Sequence, residues 1–286
     1  MGTRPGRQTF PRLFGIPASR AAIVAVLRRG PSDWSHVGRW DIGRGTYRSG
    51  AWIRGSLYPQ RCDLSPDGRW LCYFALKGSA KWKAGTTYVA ISRLPWLAAL
   101  AAWGTCGTWT RGAHFVEDRD TWHVGAPDEG DAGPCRKRFG LAVTPAATFA
   151  VERRRGWTET ADSPVRDPGD LWDERRTDEV RMEKARPGSG GATRLVVSGR
   201  FAAFRSGRPG GSKQNLYELI RDGRCLRLDD VQWAEWDNEG RLLVATVDAR
   251  LQVRVLMEDS YSVQSEVDLR LLTPSSSPAP EEAHLW

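Results

Sequence analysis

The sequence predicts an all-β protein made of short antiparallel strands. Several short segments are rich in β-branched and aromatic side chains and are separated by Gly, Pro, Asp and Asn, a pattern typical of strands joined by turns. The segments are AAIVAVL (21–27), RWLCYFAL (69–76), TYVAISR (87–93), RLVVSG (194–199) and RLLVATV (241–247). An internal repeat, described next, gives the second indication of the fold.

The repeat joins SPDGRWLCY (65–73) to DNEGRLLVA (237–245), which both place an acid before Gly-Arg and an apolar run. The aligned residues Asp67 and Glu239 are 172 positions apart. That distance is four units of about 43 residues, close to the length of one blade of a β-propeller. We therefore expect a single β-propeller-like domain over residues 11–272, irregular or incomplete, with about five or six blades and few short helices.

Other segments are less regular. VEDRDTWHV (116–124) and IRDGRCLRL (220–228) have the residues of hairpin turns without the full repeat. LPWLAALAAW (94–103) fits a helix or a buried strand, because periodicity cannot separate the two in so short a run. In DLWDERRTDEVRMEKARPG (170–188), apolar residues alternate with charges at positions 180 and 182, which favours a strand.

Loops and flexible ends account for the remaining segments. We expect long loops at 125–138 and 160–170. The tail TPSSSPAPEEAHLW is rich in Pro and Ser and has little to bury, so residues 273–286 and 1–10 are expected to be flexible.

The Ser-Pro-Asp-Gly stretch at 65–68 predicts a tight turn, since Pro presets φ at the first corner position and Gly supplies a positive φ. A hairpin symmetric about Asp67 would place Cys62 opposite Cys72, and Leu64 opposite Trp70, on one face. The two cysteines then form either a redox pair or a pair of small core side chains. We favour the core, because free Cys is among the most buried residue types.

The stretch CDLSPDGRWLCYF (62–74) resembles the blade corner of TolB-like and WD-repeat β-propellers. In those proteins an S-P-D-G turn joins two strands of a four-stranded blade. The run from PRLFGIP to TYVAISRLPWLAALAAWGTCGTW is also similar to a set of uncharacterised bacterial proteins. The resemblance implies the architecture and no particular activity, since propellers serve both as binding modules and as enzyme scaffolds. Only one S-P-D-G is intact and no G-H…W-D signature is present, so the blade number is not fixed.

Charge and cysteine content narrow the class of protein. The formal net charge is +8, but the basic residues are mostly Arg and are interleaved with acids, as in LWDERRTDEVRMEK (171–184). This arrangement is not the clustered basic surface of a nucleic-acid-binding protein, so we expect no nucleic-acid partner. Five cysteines without a C-x-x-C pair indicate neither a zinc site nor a disulfide scaffold. We expect a reduced, cytoplasmic protein.

The N-terminal region does not read as a targeting segment. Its apolar part is broken by Pro17 and Arg20, which argues against a signal peptide. The sequence also has no run of 18 apolar residues, so no conventional membrane span is predicted.

Sequence motifs for catalysis are absent. There is no P-loop, nucleophile elbow, H-E-x-x-H or dinucleotide fingerprint, and no carboxylate pair has the spacing of an acid and a base. His114 and His123 could face each other across the 116–124 corner and hold a metal near Asp118 or Asp120. The alternative, two half-exposed imidazoles on a strand pair, is favoured, and we expect no cofactor.

The 14 tryptophans are expected mainly between sheets, where large side chains fill the space. Trp233 and Trp236 should point to opposite faces of one strand. We predict a non-catalytic module that binds a protein or small ligand through loops at one end of the propeller, including 104–112 and 125–138. The proposed contact residues are Trp109, Arg111, His114 and Trp236. The alternative is a hydrolase on the same scaffold that uses carboxylates, with or without a metal.

Overall fold

The computed structural model describes residues 10–30, 32–77, 85–105, 112–115, 141–143, 150–161, 179–200, 215–258, 260–275 and 277–285. These residues form five antiparallel sheets that follow one another along the chain, and none of the sheets closes into a barrel. The all-β prediction is confirmed. The single α-helix of the described residues is short, α1 (Ala150–Arg154).

The first two sheets are built from residues 12–104. Sheet 1 has the order β1-β2-β3-β4, with strands β1 (Arg12–Pro17), β2 (Ile23–Arg29), β3 (Trp34–Asp41) and β4 (Thr46–Arg54). Sheet 2 contains β5 (Ser56–Leu57), β6 (Asp63–Leu64), β7 (Trp70–Leu76), β8 (Thr87–Arg93) and β9 (Ala99–Gly104), where β5 and β6 both pair with β7. A 3-10 turn at Pro59–Arg61 connects β5 to β6.

The other three sheets repeat this up-and-down order. Sheet 3 is the pair β10 (Ala113–Phe115) and β11 (Leu141–Val143). Sheet 4 contains β12 (Thr158–Glu159), β13 (Glu179–Ala185), β14 (Thr193–Arg200), β15 (Leu216–Arg221) and β16 (Arg224–Arg227). Sheet 5 contains β17 (Val231–Trp236), β18 (Leu242–Thr246), β19 (Arg250–Leu256) and β20 (Tyr261–Asp268).

Each of the five segments predicted as strands from composition coincides with a strand to within two residues at its ends: β2, β7, β8, β14 and β18. The ambiguous LPWLAALAAW segment becomes strand β9 from Ala99 onward, and the alternating segment becomes β13. The predicted corner at 116–124 and the predicted loop at 125–138 lie outside the described residues.

Strand β7 explains why these runs are apolar without alternating. Leu71 and Tyr73 pack toward sheet 1, whereas Trp70, Cys72 and Phe74 pack toward sheet 3. A strand buried on both faces needs apolar side chains at successive positions. The sheet therefore has a packing partner on each side.

Buried clusters connect the sheets in a fixed order. Sheet 1 packs on sheet 2, sheet 2 on sheet 3, sheet 4 on sheet 5, and sheet 5 back on sheet 1. In this order the four clusters include Leu27 with Tyr73, Phe74 with Phe115, Met182 with Trp236, and Trp40 with Trp233. The last sheet of the chain thus covers a face of the first.

Tryptophans supply much of this packing, as predicted. The buried ones among the described residues are Trp40, Trp70, Trp103, Trp157, Trp233 and Trp236. Trp233 lies in the cluster between sheets 5 and 1, and Trp236 in the cluster between sheets 4 and 5. Their positions on opposite faces of β17 confirm the spacing argument.

The turns that follow β1, β6 and β17 lie side by side. The backbone N–H of Arg20 donates to the Pro66 carbonyl oxygen at 2.9 Å, and the Asn238 side chain donates to the Ser19 carbonyl oxygen at 3.0 Å. Because all three strands end at these turns, they run in the same direction. We call this side of the molecule the corner end.

The turn at 65–70 is closed by side-chain hydrogen bonds. The Ser65 hydroxyl oxygen accepts from the N–H groups of Arg69 (3.2 Å) and Trp70 (2.9 Å), and it donates to Asp67 at 2.6 Å. Gly68 has φ +73°, the left-handed value that Gly tolerates best. The predicted turn is therefore present, with Ser65 as an acceptor inside it.

The repeat at 237–241 has the same local structure. The Asp237 carboxylate accepts from the N–H groups of Glu239 (3.0 Å) and Arg241 (2.7 Å), and Gly240 also has φ +73°. Asp237 thus occupies the position of Ser65, and the two sequence repeats adopt equivalent turns. The first turn follows β6 of sheet 2, and the second follows β17 of sheet 5.

The predicted strand register at the first corner is wrong by one residue. Asp63 lies opposite Cys72 and Leu64 opposite Leu71, so neither the Cys62–Cys72 pair nor the Leu64–Trp70 pair forms. The Ser65 hydrogen bonds add one residue to the turn, and a one-residue shift moves side chains to the other face.

Cys62 consequently packs between sheets 1 and 2, while Cys72 packs between sheets 2 and 3. Both thiols are free and buried, and burial raises the pKa of Cys62 to about 12. The core interpretation of these cysteines is confirmed, although they do not share a face.

The end of the chain crosses from sheet 5 toward sheet 2. Residues 281–284, which the sequence predicts to be flexible, form a 3-10 turn in which Ala283 is fully buried. Glu282 lies 3.5 Å from the Arg48 guanidinium, and its carbonyl oxygen accepts from Arg93 at 3.1 Å. None of the helices in the described ranges combines the length and apolarity needed to span a membrane.

Candidate functional site

Asp63 is a buried acid at the corner end of β6, with 4% of its surface exposed. Its carboxylate accepts from Arg155 at 2.9 Å, from Arg154 at 3.2 Å and from the backbone N–H of Phe115 at 2.9 Å. Burial alone would raise the pKa of Asp63, but the two arginines hold it below its usual value. Asp63 is therefore an ionised group that connects sheets 2 and 3 to the residues after α1.

Glu235 occupies the equivalent position in sheet 5, 172 residues after Asp63, and is also 4% exposed. Its carboxylate accepts from the Trp157 indole at 2.8 Å and from the Trp236 backbone N–H at 2.9 Å. Lys184 lies 3.0 Å away and completes the ion pair. The sequence repeat thus extends to a buried carboxylate on the strand that precedes each of the two corners, β6 in sheet 2 and β17 in sheet 5.

Residues 154–157 connect these two acids. Arg154 and Arg155 bind Asp63, Trp157 binds Glu235, and Arg155 also donates to the Pro17 carbonyl oxygen at the end of β1. The short segment from the last residue of α1 to Trp157 therefore contacts three strands, β1, β6 and β17. We call Asp63, Glu152, Arg154, Arg155, Lys184 and Glu235 the central charge cluster.

Glu152 differs from the other two acids of the cluster. Its Oε2 atom is buried and has no hydrogen-bond partner among the described residues. Burial raises the pKa of Glu152 to about 7, and the nearby Glu235 adds to that effect while Arg155 opposes it. The cluster therefore contains one acid, Glu152, that can keep its proton near neutral pH. The carboxylates of the other two acids, Asp63 and Glu235, accept hydrogen bonds from several donors.

His114 lies on β10 beside this cluster and is half-buried. Its Nδ1 atom is buried and has no hydrogen-bond partner among the described residues. Burial, followed by the charge of Arg154, lowers the pKa of His114 to about 4. The imidazole is neutral at physiological pH, so it can donate one hydrogen bond and accept one but adds no positive charge.

The titration of Glu152 gives a testable pH dependence. As pH rises from 4.5 toward 7, the unfolded chain releases this proton while the folded chain keeps it, so the free energy of unfolding falls by on the order of 3 kcal/mol. Glu152→Gln should remove this fall and stabilise the protein at pH 8. Urea unfolding at pH 5 and pH 8 measures the difference.

The exposed Glu258→Gln change serves as the control and should leave the pH dependence unaltered. An unchanged fall in Glu152→Gln would show that Glu152 ionises normally in the folded protein.

Only some of the site residues predicted from sequence belong to the described part of the chain. Trp109, Arg111 and His123 lie outside the described residues. His114 borders the central charge cluster, as described above. Trp236 is 3% exposed and packs between sheets 4 and 5, and its indole donates to the Lys184 carbonyl oxygen at 3.2 Å. His114 is therefore near Asp63, and Trp236 bonds Glu235, so the two residues border different acids of the central charge cluster.

Sequence reasoning missed Asp63 and Glu235, although the repeat contained the signal. Aligning the two corners and reading two residues before Ser65 and Asp237 finds an acid in both places. The donors Arg154, Arg155 and Trp157 had no comparable signal, because they come from a segment that does not repeat. Among the described residues, no three His, Cys, Asp or Glu side chains are grouped closely enough to hold a metal ion.

Comparisons with known proteins add little to this picture. No protein-family model matches the chain, and no curated protein matches it. Among solved structures, the chain is similar to the crystal structure of uncharacterized protein lmo1340 from Listeria monocytogenes EGD-e, with 13% sequence identity and a TM-score of 0.29. The match covers 87% of this chain and 63% of that protein, so this chain spans less than two thirds of its length.

Proposed function

We propose that this chain is a non-catalytic interaction module with a β-propeller-like arrangement of five sheets. The order of sheet contacts supports the architecture, because sheet 5 returns to sheet 1 and the strands β1, β6 and β17 run in one direction. In a propeller the first strands of the blades surround a central axis, and ligands bind at one end of it.

The observation that carries the proposal is that the carboxylates of Asp63 and Glu235 are both paired with several donors of the protein itself. Each carboxylate receives three donors from buried or half-buried groups. Truncating such a buried ion pair leaves an uncompensated charge, so these acids act as clamps between sheets. A rigid frame of this kind suits display of a binding surface more than movement during a reaction.

The contact surface is proposed at the end opposite the corners. Residues 106–111 lie outside the described residues, and at Gly112, which follows them, an added Cβ would clash with the Arg61 carbonyl oxygen. Arg61 ends the 3-10 turn that precedes β6, so this contact lies before the strand that carries Asp63. Trp109 and Arg111 immediately precede Gly112 in the sequence and are the proposed contact residues.

Binding and stability measured together test the proposal. Trp109→Ala and Arg111→Ala should abolish ligand-induced thermal stabilisation, measured across a panel of metabolites and peptides, without lowering the melting temperature of the free protein. Trp236→Ala is the matched control and should lower the melting temperature, because Trp236 is buried. Loss of melting temperature in all three variants would contradict a role in contact.

A hydrolase remains the second candidate, and Glu152 is the observation that favours it. A buried carboxyl group that keeps its proton near neutral pH has the property required of a general acid. In that case any ligand found in the panel would be converted to products, and Glu152→Gln would abolish conversion while binding persisted. Recovery of the ligand unchanged after long incubation supports the interaction module instead.

A further inference from the structure

We infer that sheet 1 carries a binding site for the carboxylate group of a small organic acid, on the face toward sheet 5 and at the end opposite the corners. The site consists of Arg28, His36, Tyr47 and Trp52, which we call the Arg28 site. None of these residues belongs to the contact surface proposed above, so the inference goes beyond the proposed function and is tested separately.

Three of the side chains form a row across sheet 1. Arg28 of β2 lies opposite His36 of β3, and His36 lies opposite Trp52 of β4 in the strand register. Arg28 also lies opposite Leu13, which packs between sheets 5 and 1, so the row is on the face toward sheet 5. Because β2 runs antiparallel to β1, its last residues lie at the end opposite the corners.

The row extends from the interior to the surface. Arg28 is 6% exposed, Trp52 is half-buried, and Ser49, which lies on the same outer strand β4 as Trp52, is exposed. The Ser49 hydroxyl oxygen lies 3.0 Å from the Nε2 atom of His36. The polar groups are thus continuous from the buried guanidinium to the solvent, as a site for a dissolved ligand requires.

Arg28 is a buried cation without a carboxylate partner. Its guanidinium carbon lies 5.0 Å from the centre of the Trp52 ring, the geometry of a cation–π contact. Its Nε atom is buried and has no hydrogen-bond partner among the described residues. Burial lowers the pKa of Arg28, and Tyr47, not an acid, opposes that effect. The buried Arg254, by contrast, pairs with Asp230, so Arg28 lacks the partner that a buried charge ordinarily has.

The hydrogen bonds of His36 determine which ring nitrogen carries the proton. The Gly50 backbone N–H donates to Nε2 at 3.3 Å, so Nε2 is the acceptor. Burial, followed by the charge of Arg28, lowers the pKa of His36 to about 3, and the neutral imidazole therefore carries its one proton on Nδ1. Nδ1 lies 3.4 Å from the Tyr47 hydroxyl oxygen and donates to it.

The Tyr47 hydroxyl consequently has a proton of its own to donate. Its oxygen accepts from His36, and burial raises the pKa of Tyr47, so the phenol stays protonated. No acceptor for this proton is found among the described residues. The charge of Arg28 acts on the ionisation of Tyr47, so the two groups are near each other. Arg28 and Tyr47 thus present two unmatched donors on one face of sheet 1.

A carboxylate satisfies both donors together. One of its oxygen atoms can accept from Arg28 and the other from the Tyr47 hydroxyl, in charge-assisted hydrogen bonds. Its single negative charge matches the single guanidinium, because His36 is neutral. A phosphate dianion would exceed that positive charge. The Trp52 ring offers an apolar surface for the rest of the molecule, which favours an organic acid over an inorganic anion.

The test uses benzoate and butyrate as probes at pH 7 and constant ionic strength, with calorimetric titration and thermal unfolding. Benzamide is the probe control, because it has the shape of benzoate without the charge. Wild-type protein should bind one molecule of at least one acid per chain, and its melting temperature should rise in the presence of that acid. It should not bind benzamide, and it should bind inorganic phosphate more weakly than the acid.

Two variants locate the bound acid. Arg28→Met keeps an unbranched side chain and should weaken binding by at least about tenfold, because a hydrogen bond to a charged group is lost. Its melting temperature without probe should equal or exceed that of the wild type, since an unpaired buried charge is removed. Tyr47→Phe should also weaken binding, by a smaller factor than Arg28→Met.

Arg48→Met is the matched control. Arg48 also stacks on a tryptophan, with its guanidinium carbon 5.2 Å from the centre of the Trp96 ring, but it has Glu282 as an ionic partner at 3.5 Å. Because its charge is already paired, Arg48→Met should bind the acid as the wild type does.

Several outcomes would overturn the inference. Absence of saturable binding of both acids would mean that water satisfies the two donors. Unchanged binding in Arg28→Met would place the acid elsewhere, and a lower melting temperature of that variant would mean that Arg28 stabilises the free protein through its contact with Trp52. Equal binding of benzamide would replace the carboxylate by an apolar ligand, and tighter binding of phosphate would replace it by a phosphate group.

The proposed function fails separately. Binding of the acid that depends on Arg28, with no ligand that depends on Trp109 or Arg111, would leave the Arg28 site and overturn the proposed contact surface. Binding of the acid that is lost in Trp109→Ala or Arg111→Ala and kept in Arg28→Met would do the reverse.

Discussion

Replacing Asp63 with Ala should lower the free energy of unfolding by about 3 to 5 kcal/mol. The change removes the acceptor of Arg154, Arg155 and the Phe115 backbone N–H together, and breaking a buried ion pair leaves an uncompensated charge. The depressed pKa of Asp63 means that its contribution is present above pH 3.8 and is lost as pH falls below that value. The loss in the variant should therefore be largest near neutral pH.

Asp67→Ala is the matched control, since it removes an exposed acid four residues away. Asp67 bonds Ser65 and the Arg69 N–H at the turn surface, so its loss should cost only about 1 kcal/mol. Urea unfolding of both variants at pH 7 decides the comparison. Equal effects would mean that the central charge cluster adds nothing to the stability of the frame.

The contact of Gly15 with Trp233 should show compensation between two damaging changes. A Cβ added at Gly15 would lie 2.4 Å from the Trp233 ring, so Gly15→Val should destabilise the protein by about 3 kcal/mol through overpacking. Trp233→Ala should cost about 3 to 5 kcal/mol by leaving a cavity. In the double variant, the valine enters the space left by the indole, so the total loss should be smaller than the sum by about 1 to 3 kcal/mol.

Gly43→Ala is the control for the glycine change, because its added Cβ would meet Ala22 at an ordinary 3.5 Å. It should change stability by less than about 0.5 kcal/mol, alone and in combination with Trp233→Ala. Thermal or urea unfolding of the five variants gives the coupling energy. Strict additivity of Gly15→Val and Trp233→Ala would argue that β1 and β17 do not touch.

The strands could be predicted from sequence because most of them are buried on both faces. Runs such as RWLCYFAL and TYVAISR need apolar or β-branched residues at every position, since each strand packs between two neighbouring sheets. Burial on both faces does not by itself decide between helix and strand for LPWLAALAAW. Its Ala and Leu content fits helix as well, and the decision came from pairing of Ala99–Gly104 with β8.

The turns were harder to predict because side chains take part in them. The Ser65 hydroxyl lengthened the first corner by one residue, which no propensity indicated. A further turn of this kind joins β18 to β19, where the Arg250 N–H donates to the Thr246 hydroxyl at 3.0 Å. There Ala249 adopts φ +67° in place of a glycine, so this corner has no Gly-Arg pair in the sequence.

The candidate site followed from sequence only where the sequence repeats. Asp63 and Glu235 share a position before equivalent corners, so a longer alignment would have found both. Their donors come from residues 154–157, which have no repeat partner.

A disulfide between sheets 1 and 5 tests most directly whether the last sheet packs on the first. A Cβ at Gly45 would lie 3.7 Å from the Cβ of Ser265, which matches the separation in a disulfide. The double change Gly45→Cys and Ser265→Cys is made in a protein whose Cys106, Cys135 and Cys225 are replaced by Ser. Gly45→Cys combined with Arg224→Cys is the control.

Under mild oxidation the Gly45–Ser265 pair should form an intramolecular disulfide, and the control pair should remain reduced. The disulfide should raise the melting temperature relative to the reduced form of the same variant, since Gly45→Cys is itself strained at φ +65°. Gel mobility with and without reductant, together with the mass of the linked peptides, identifies the product. A Gly45–Ser265 pair that stays reduced, or that links only between molecules, would contradict the packing of sheet 5 on sheet 1.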